Sequence, residues 1–499
     1  MDVALVETRP EGVEADVLAF AVADPVELPG PAQELDRRLD GRLARLAAEG
    51  ELTGKRGALT LLHTSHEVAA KRVAAVGIGE RGAVDPDDVR TGAAEAAARA
   101  EGIGAATLAW LLDEGGSALP AREQVRAVVE GVALGTYDTG RWKTDGARPR
   151  SLECLVVSGR DAHTLADEAG RANVIAAWTN RCRDVVNAPP NELTPARLAD
   201  FADEVAESSP SVRFQALGED EISAAGMGAF AAVARGSEIP PRLVTLSYEP
   251  PDGSRADLVL GLVGKALTFD AGGISLKPPD GLEEMKADMG GGAAVIAALG
   301  AIAALRVPLR ILAVVPACEN MPGGAAYRPG DILTALNGKT IEVTNTDAEG
   351  RLILADALSY ARGQGATHLL DLATLTGTIV VAMGDFYAGL FGNDREWLEE
   401  IRAAAERSGD HAWPMPLHRS YARHLESAFA DLKNCPEKRR GSSIIAALFL
   451  EEFAGEGPWA HLDIAGTAFL DRGRDYYRQM GATGYGVRLV AELADRLAR

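Results

Sequence analysis

Between Ala15 and about Gly159, short apolar runs alternate with longer Ala-rich stretches in which apolar and charged residues are interleaved. VLAFAV (17–22), ALTLLH (58–63), RVAAVGIG (72–79), TLAWLL (107–112) and LECLVV (152–157) have the length and composition of strands. PAQELDRRLDGRLARLAAEG (31–50) and DDVRTGAAEAAARAEG (87–102) have the longer period of helices. Such β-α alternation predicts a small parallel or mixed sheet flanked by helices.

A helix is expected from His163 to about Val186, ending at Asn187-Ala188-Pro189-Pro190-Asn191. Two successive prolines cannot continue a helix and force an extended path. Thr194-Pro195 then has the form of a cap followed by proline at the first helical position, and β-α alternation resumes to the C-terminus. The expected organisation is an N-terminal α/β domain over 1–160, a linker helix and junction over 161–191, and a larger α/β domain with a mixed central sheet over 192–499. MGGGAAVIAALGAIAAL, which contains Gly290-Gly291-Gly292, reads as the start of a tightly packed helix, since no GxGxxG spacing accompanies it.

Composition narrows the function classes. The chain has 499 residues, 47% of them hydrophobic, and 72 acidic against 51 basic residues give a formal charge of −21. Phosphate backbones and anionic lipid would be repelled, and the triplet Lys438-Arg439-Arg440 reads as a solvated loop, so neither nucleic acid nor membrane is an expected partner. Cys154, Cys182, Cys318 and Cys435 show no CxxC spacing, which fits a reducing cytoplasm. The first residues lack a basic region followed by an apolar one, and no charge-free run of about 18 apolar residues is evident, so neither export nor anchoring is predicted.

Two segments set charges in apolar or glycine-rich surroundings: VGKALTFDAGGISLKPPDGLEEMKADMGGG (263–292) and NTDAEGRL (345–352). In the first, the strand LVLGLVGKALTF is expected to run into Asp270, at the carboxyl end where α/β sheets place ligands. In the second, KTIEVTN should end at Asn345, leaving Asp347, Glu349 and Arg351 at alternate positions of a turn before the helix LILADALSYA. Each residue alone is ordinary. Together, Asp270, Asp288, Asp347 and Glu349 could bring four carboxylates to one place, which burial forbids unless their charge is cancelled, as two divalent cations would do. With no HExxH and eight scattered histidines, hard or borderline ions held mainly by oxygen are expected. Such a pair acidifies a bound water and polarises a carbonyl, equipment equally suited to amides and phosphate esters.

At these residues the sequence closely resembles the leucyl (cytosol) aminopeptidase family of dinuclear metallopeptidases. NTDAEGRL is complete and follows the family-like YRPGDILTALNGKTIEV (327–343). The resemblance extends through RDVVNAPPNELTP (183–195), GMGAFAAVARGSEIPPRL (226–243), DLATLTG (371–377) and WAHLDIAGTAF (459–469). It implies that Lys265, Asp270, Asp288, Asp347 and Glu349 are ligands of two Mn²⁺ or Zn²⁺ ions, with Asp270 and Glu349 bridging. Lys265 must then be neutral, which the field of adjacent dications favours.

The same resemblance makes Lys277 the oxyanion stabiliser and Arg351 the holder of a bicarbonate general base. Met285, Asn345, Thr374, Leu375, Gly377 and the stretch Ala465 to Ala468 match the substrate pocket, whose small or apolar character favours Leu- and Met-like first residues. The implied protein is a cytoplasmic homohexamer acting on short peptides with a free N-terminus. The family usually has Ser where Ala271 stands, a difference expected to tune a hydrogen bond around the ligands and not the ligands themselves. A two-metal phosphoesterase is disfavoured by the lysine ligand. Some family members also bind DNA, and the charge of −21 weighs against that role here.

Overall fold

The computed structural model describes residues 1–113, 119–144, 151–251, 253, 257–438 and 440–499, so Arg439 of the basic triplet lies outside the described residues. The chain divides into two compact units, Met1–Asn180 with Asp471–Met480, and Arg181–Leu470 with Gly481–Arg499.

The first unit contains strands β1 (Asp2–Val6), β2 (Val17–Asp24), β3 (Leu59–His63), β4 (Arg72–Glu80), β5 (Thr107–Leu111) and β6 (Cys154–Ser158). Its helices are α1 (Gly30–Arg38), α2 (Arg42–Ala48), α3 (Pro86–Gly102), α4 (Ala121–Gly135) and the start of α5 (Ala166–Asn187). The sheet order is β1-β6-β5-β2-β4-β3, parallel except for β3 at one edge, so the expected mixed sheet is present. Helices α1 and α2 pack on the face that carries Leu18, Phe20 and Val22 of β2. Helices α3 and α4 cover the face that carries Val17 and Ala19. Alternation along the strand thus feeds two separate cores.

Three local features differ from the sequence reading. The edge strand β1, half-buried and short, precedes the region where strands were expected, and it pairs with β6 from Asp2 opposite Cys154 to Val6 opposite Ser158. The stretch 31–50 is two helices, because Asp40 and Gly41 adopt φ of 54° and 71°, a left-handed turn that ends the first helix. Helices α3 and α4 approach closely because Gly131 faces Arg90, whose carbonyl oxygen would lie 2.3 Å from any added Cβ. The returning segment 471–480 is tied in by Gln479, which accepts from the Thr139 amide at 2.9 Å, by an Arg56–Asp475 pair at 3.1 Å, and by Arg478 with Glu95.

In the second unit, helix α6 (Pro195–Glu207) starts as expected, Thr194 accepting from the Arg197 amide with proline following. Then come β7 (Val212–Leu217), α7 (Glu219–Ala224), α8 (Gly228–Ala234), β8 (Arg242–Tyr248), β9 (Val259–Gly264) and β10 (Ala266–Asp270). They are followed by α9 (Gly290–Ala304), β11 (Arg310–Asn320), β12 (Ile332–Thr334), β13 (Thr340–Glu342), α10 (Gly350–Gly363), β14 (His368–Ala373) and α11 (Gly377–Met383). The remainder is β15 (Ala388–Gly392), α12 (Arg395–Ser408), β16 (Ala412–Pro414), β17 (Leu432–Lys433), α13 (Ser442–Glu451), β18 (Trp459–Asp463), β19 (Phe469–Leu470), β20 (Gly481–Ala482) and α14 (Val487–Ala498).

The main sheet runs β16-β15-β18-β14-β9-β11-β8-β7, with β10 also paired to β11. Strands β18, β14, β9 and β11 form a parallel centre, and β15, β8 and β7 introduce antiparallel pairings on its flanks. The single strand expected to run into Asp270 is instead β9 and β10, interrupted at Lys265. Helix α9 is apolar all round because it is buried all round. With the turn before it, the stretch Leu282–Ala304 is long and apolar enough to cross a membrane, yet 94% of its most apolar window is buried inside the fold. Its first glycines are packing positions, as expected: a Cβ on Gly291 would sit 2.0 Å from the Leu372 carbonyl oxygen, and one on Gly292 2.7 Å from Val315.

Candidate metal centre

The carboxyl ends of the parallel strands converge on one place. Lys265 follows β9, Asp270 ends β10, Asn320 ends β11, Thr374 follows β14 and Asp463 ends β18. Lys265 is fixed through its backbone, its amide donating to Leu372 O at 3.0 Å and its carbonyl accepting from the Gly292 amide at 2.8 Å. Its ammonium lies 2.8 Å from Asp288 Oδ2 and 3.0 Å from Glu349 Oε1, and donates to Thr374 O at 2.9 Å. Only glycine at position 350 permits this path, since a Cβ there would be 2.7 Å from Lys265 Cε.

Asp270 is held by two donors, the Gly272 amide and Asn320 Nδ2, each 2.8 Å from Oδ1. The tight turn that follows uses Gly272 and Gly273 at φ of 87° and 67°, where a side chain would be strained and would meet Ser275 O or Asn320 Oδ1. Buried Ala271 serves through its backbone, donating to Asn320 O at 2.9 Å and accepting from the Lys277 amide at 3.0 Å. That turn returns Lys277, whose Nζ lies 2.9 Å from Asp270 Oδ2 and 2.5 Å from Asp347 Oδ1.

The second segment is shaped by its own side chains. Asn345 Oδ1 accepts from the Asp347 amide at 2.9 Å, and Asn434 Nδ2 donates to Asn345 O at 2.7 Å. Thr346 Oγ1 donates to Gly272 O at 2.7 Å and accepts from the Ser275 amide at 2.8 Å, joining this turn to the first. Glu349 stands at the start of α10 and Arg351 one turn position further, both buried. Arg351 Nη1 donates to Asn434 O at 2.8 Å, while its buried Nε has no hydrogen-bond partner among the described residues.

The resulting charge distribution is uneven. Four carboxylates face the ammonium groups of Lys265 and Lys277, which leaves two negative charges that these lysines do not neutralise. Burial, reinforced by the neighbouring Glu349 charge, holds the Asp270 carboxyl well above its usual range, and burial raises Asp288 and Asp347 as well. Glu349 goes the other way: burial opposes its charge, but Lys265 and Lys277 outweigh that and lower it. Burial also works against both ammonium groups, and the surrounding carboxylates overcome it, so both lysines are held above their ordinary range.

One ligand atom each from Asp270, Asp347 and Glu349 can be chosen within 4.8 Å of one another, and Glu349 Oε2 is buried without a hydrogen-bond partner among the described residues. A surplus of buried negative charge and an orphaned carboxylate oxygen are what a divalent cation satisfies, so the donor set fits metal. The Lys265 ammonium stands between Asp288 and Glu349, so any service as a ligand would require loss of a proton.

The other sequence candidates are distributed around this cluster. Thr374 donates from Oγ1 to Asp288 Oδ1 at 2.6 Å and is therefore part of it. Ala468 and Thr374 are the side chains nearest to Gly290, where an added Cβ would lie 3.4 Å and 3.9 Å from them. Leu375 is half-buried, Gly377 opens α11 exposed to solvent, and Met285 is half-buried on the short 3-10 helix Leu282–Ala287.

Sequence reasoning missed Asn320, Asn434 and Asp463. Asp463 Oδ1 accepts from the Leu375 and Thr376 amides at 3.2 and 3.3 Å, and its Oδ2 accepts from Thr376 Oγ1 at 2.6 Å. A polar residue at a strand end or within a loop carries no local signature. A strand-end position in a parallel sheet was the one usable signal for Asn320 and Asp463.

Comparison with known proteins places this arrangement. Residues 180–491 match the cytosol aminopeptidase family catalytic domain, and residues 17–146 match the N-terminal domain of the same family. A probable cytosol aminopeptidase of Solibacter usitatus is 46% identical over 494 residues, covering 98% of both chains. One from Alkaliphilus metalliredigens is 38% identical over 490 residues, covering 97% of both. Among solved structures, a mutant tomato leucine aminopeptidase is similar at TM-score 0.90 and 35% identity, covering 99% of this chain and 96% of that one. The bottromycin maturation enzyme BotP in complex with Mn is similar at TM-score 0.86 and 36% identity, covering 97% and 100%. With both domains matched and relatives aligned over nearly the whole length, the chain belongs to the cytosol aminopeptidase family of metallo-hydrolases.

Proposed function

We propose that the chain removes single Leu- or Met-like residues from the free N-terminus of short peptides, using two divalent ions, Mn²⁺ or Zn²⁺, held by Lys265, Asp270, Asp288, Asp347 and Glu349. The observation that carries this reading is the buried surplus of carboxylate charge around Glu349, whose Oε2 has no hydrogen-bond partner among the described residues. Bound ions would supply Lewis acidity and a water acidified toward neutrality. The Mn in BotP and the similarity to a tomato leucine aminopeptidase support the class of metal and substrate.

The chain's own residues do the rest. Lys277, 21% exposed and held protonated by surrounding carboxylates, is available to donate to an oxyanion developing on the scissile carbonyl. Arg351 is anchored through Nη1, which leaves the buried Nε to meet a planar anion; bicarbonate fits, and would serve as proton acceptor. Thr374, Leu375 and Gly377, on the turn held by Asp463, together with Met285, Asn345 and the 465–468 stretch, would receive the first side chain. A cytoplasmic homohexamer is the accompanying expectation.

The test is hydrolysis of a panel of aminoacyl amides and blocked peptides by metal-stripped protein reconstituted with Mn²⁺, Zn²⁺ or Co²⁺. Cleavage confined to free N-termini, dependent on added metal and abolished by Asp347→Ala, is expected. Undiminished turnover by Asp347→Ala, or no cleavage with any of these metals, overturns the reading.

A further inference from the structure

The first unit has a cavity of its own, of about 360 Å³, outside the carboxyl ends of its parallel strands. Strand β2 lies between β5 and β4 and is parallel to both. The chain leaves β2 through α1 and α2 on one face of the sheet, enters the edge strand β3 and turns back antiparallel into β4, then crosses through α3 on the opposite face to reach β5. The crossovers therefore reverse at β2. An open parallel sheet splits at such a point, and the crevice outside the strand ends is where small ligands bind. Val22 and Leu111, from one face of the sheet, and Ile78 and Trp110, from the other, all line the cavity, so apolar residues of both cores meet at it.

Its polar lining comes from Glu27, Gln33, Arg81, Asp113 and Gln124, two of which form an ion pair. Arg81 Nη1 lies 2.6 Å from Glu27 Oε2, and Nη2 donates to Pro25 O at 3.0 Å. These side chains are 38% and 73% exposed, which puts the pair toward the mouth. Asp113 adds a further carboxylate to the lining, beside Gln124, whose amide bonds the Asp113 backbone at both ends. Among the described lining residues Arg81 is the one cation, and Glu27 already neutralises it. A phosphate or a nucleotide would have to displace Glu27, with no second cation among the described lining residues. A zwitterion meets no such penalty, because its carboxylate can take Arg81 while its ammonium takes Glu27, leaving the net charge unchanged. The volume stands near the lower end of the about 300–1,000 Å³ typical of small-molecule pockets, which suits one amino acid.

We propose that this cavity binds a free α-amino acid with an apolar side chain, the carboxylate on Arg81, the ammonium on Glu27 and the side chain among the apolar lining residues Val22, Ile78, Trp110 and Leu111. An exopeptidase releases this class of molecule, so the site would sense product; that link alone rests on the proposed function, and the binding does not.

Titration calorimetry of L-leucine and L-methionine into the full chain, stripped of metal and carrying Asp347→Ala so that the metal cluster is silent, tests it. One saturable event per chain is expected. Arg81→Ala and Glu27→Gln should each weaken it by about tenfold or more, and 4-methylpentanoate, which lacks the ammonium, should bind weaker by about the same factor. No saturable binding of either amino acid, an affinity unchanged in either variant, or 4-methylpentanoate binding as tightly as leucine overturns the proposal. Peptide hydrolysis by the metal-loaded unmodified chain is a separate readout, so failure of the exopeptidase reading is distinguishable from failure of this one.

Discussion

Each unit of this chain builds a sheet with a parallel centre and opens it at the carboxyl edge, yet the two edges carry opposite loads. In the first unit the edge ends in Val22, Ile78 and Leu111 with one neutralised ion pair. In the second it gathers Asp270, Asp288, Asp347 and Glu349 against two lysines. A parallel centre supplies the crevice in both, and residue choice at the strand ends and the turns after them decides between a pocket with one ion pair and one further carboxylate and a charge trap. The cost of the trap is visible in the glycines around it: positions 272, 273, 291 and 350 all face backbone or side-chain atoms that leave no room for a methyl group.

The comparison can be broken most severely at the charged edge. Lys277→Met should lower kcat by about 10²–10³-fold while leaving metal content, measured by atomic absorption, unchanged. A parallel loss of metal would make Lys277 a structural counter-ion instead. Next come the close approaches. Gly291→Ala drives a Cβ to 2.0 Å from Leu372 O beside the Lys265 amide and should cost about 3 kcal/mol in chemical denaturation together with weakened metal binding. Gly131→Ala in the first unit meets Arg90 O at 2.3 Å and should cost a similar about 3 kcal/mol without loss of metal.

A pH series sharpens the contrast. Burial pushes the Asp356 carboxyl in the second unit up to about 7, against the Phe230, Leu336 and Ala229 amides that favour its charge. The folded state therefore keeps a proton that the unfolded chain releases near its ordinary value of 3.8, and the contribution, complete below that value, is lost as pH rises toward 7. Asp16 in the first unit behaves in reverse, since its hydrogen bond with Lys71, then the Ala106 and Thr107 amides, lowers it to about 2. Its contribution is complete above 3.8 and lost as pH falls toward 2. Hydrogen exchange followed unit by unit should show the first gaining protection from pH 2 to 4 and Asp356→Asn flattening the decline of the second between 4 and 7. The smallest effect is expected from Asp463→Asn, which weakens the hold on the Leu375–Thr376 turn by about 1–2 kcal/mol and should raise KM more than it lowers kcat.

Much of this was legible because the decisive residues are contiguous. NTDAEGRL and the 263–292 segment hold Asp270, Asp288, Asp347 and Glu349 in two short stretches, and their charge in apolar surroundings marks them without any three-dimensional information, whereas Lys265 was singled out by the family resemblance. The β-α alternation likewise gave the fold class and the mixed sheets. What escaped is what depends on distant pairing. Asn320 matters because β10 and β11 bring it opposite Asp270, and Asn434 because it reaches a turn 89 residues earlier. Strand β1 is half-exposed and gains its place only from β6, far along the chain. The break at Lys265 was hidden for a related reason, since its amide continues the pairing with β14 at Leu372 while its carbonyl turns to the Gly292 amide at the start of α9.

The segment 471–480 belongs to the first unit although most of the second unit precedes it along the chain. A ribosome delivering this chain has released nearly all of the second unit before Gln479 and Asp475 exist to meet Thr139 and Arg56. The first unit therefore waits for these contacts until most of the second unit has been made, and a fragment cut at residue 180 would lack them.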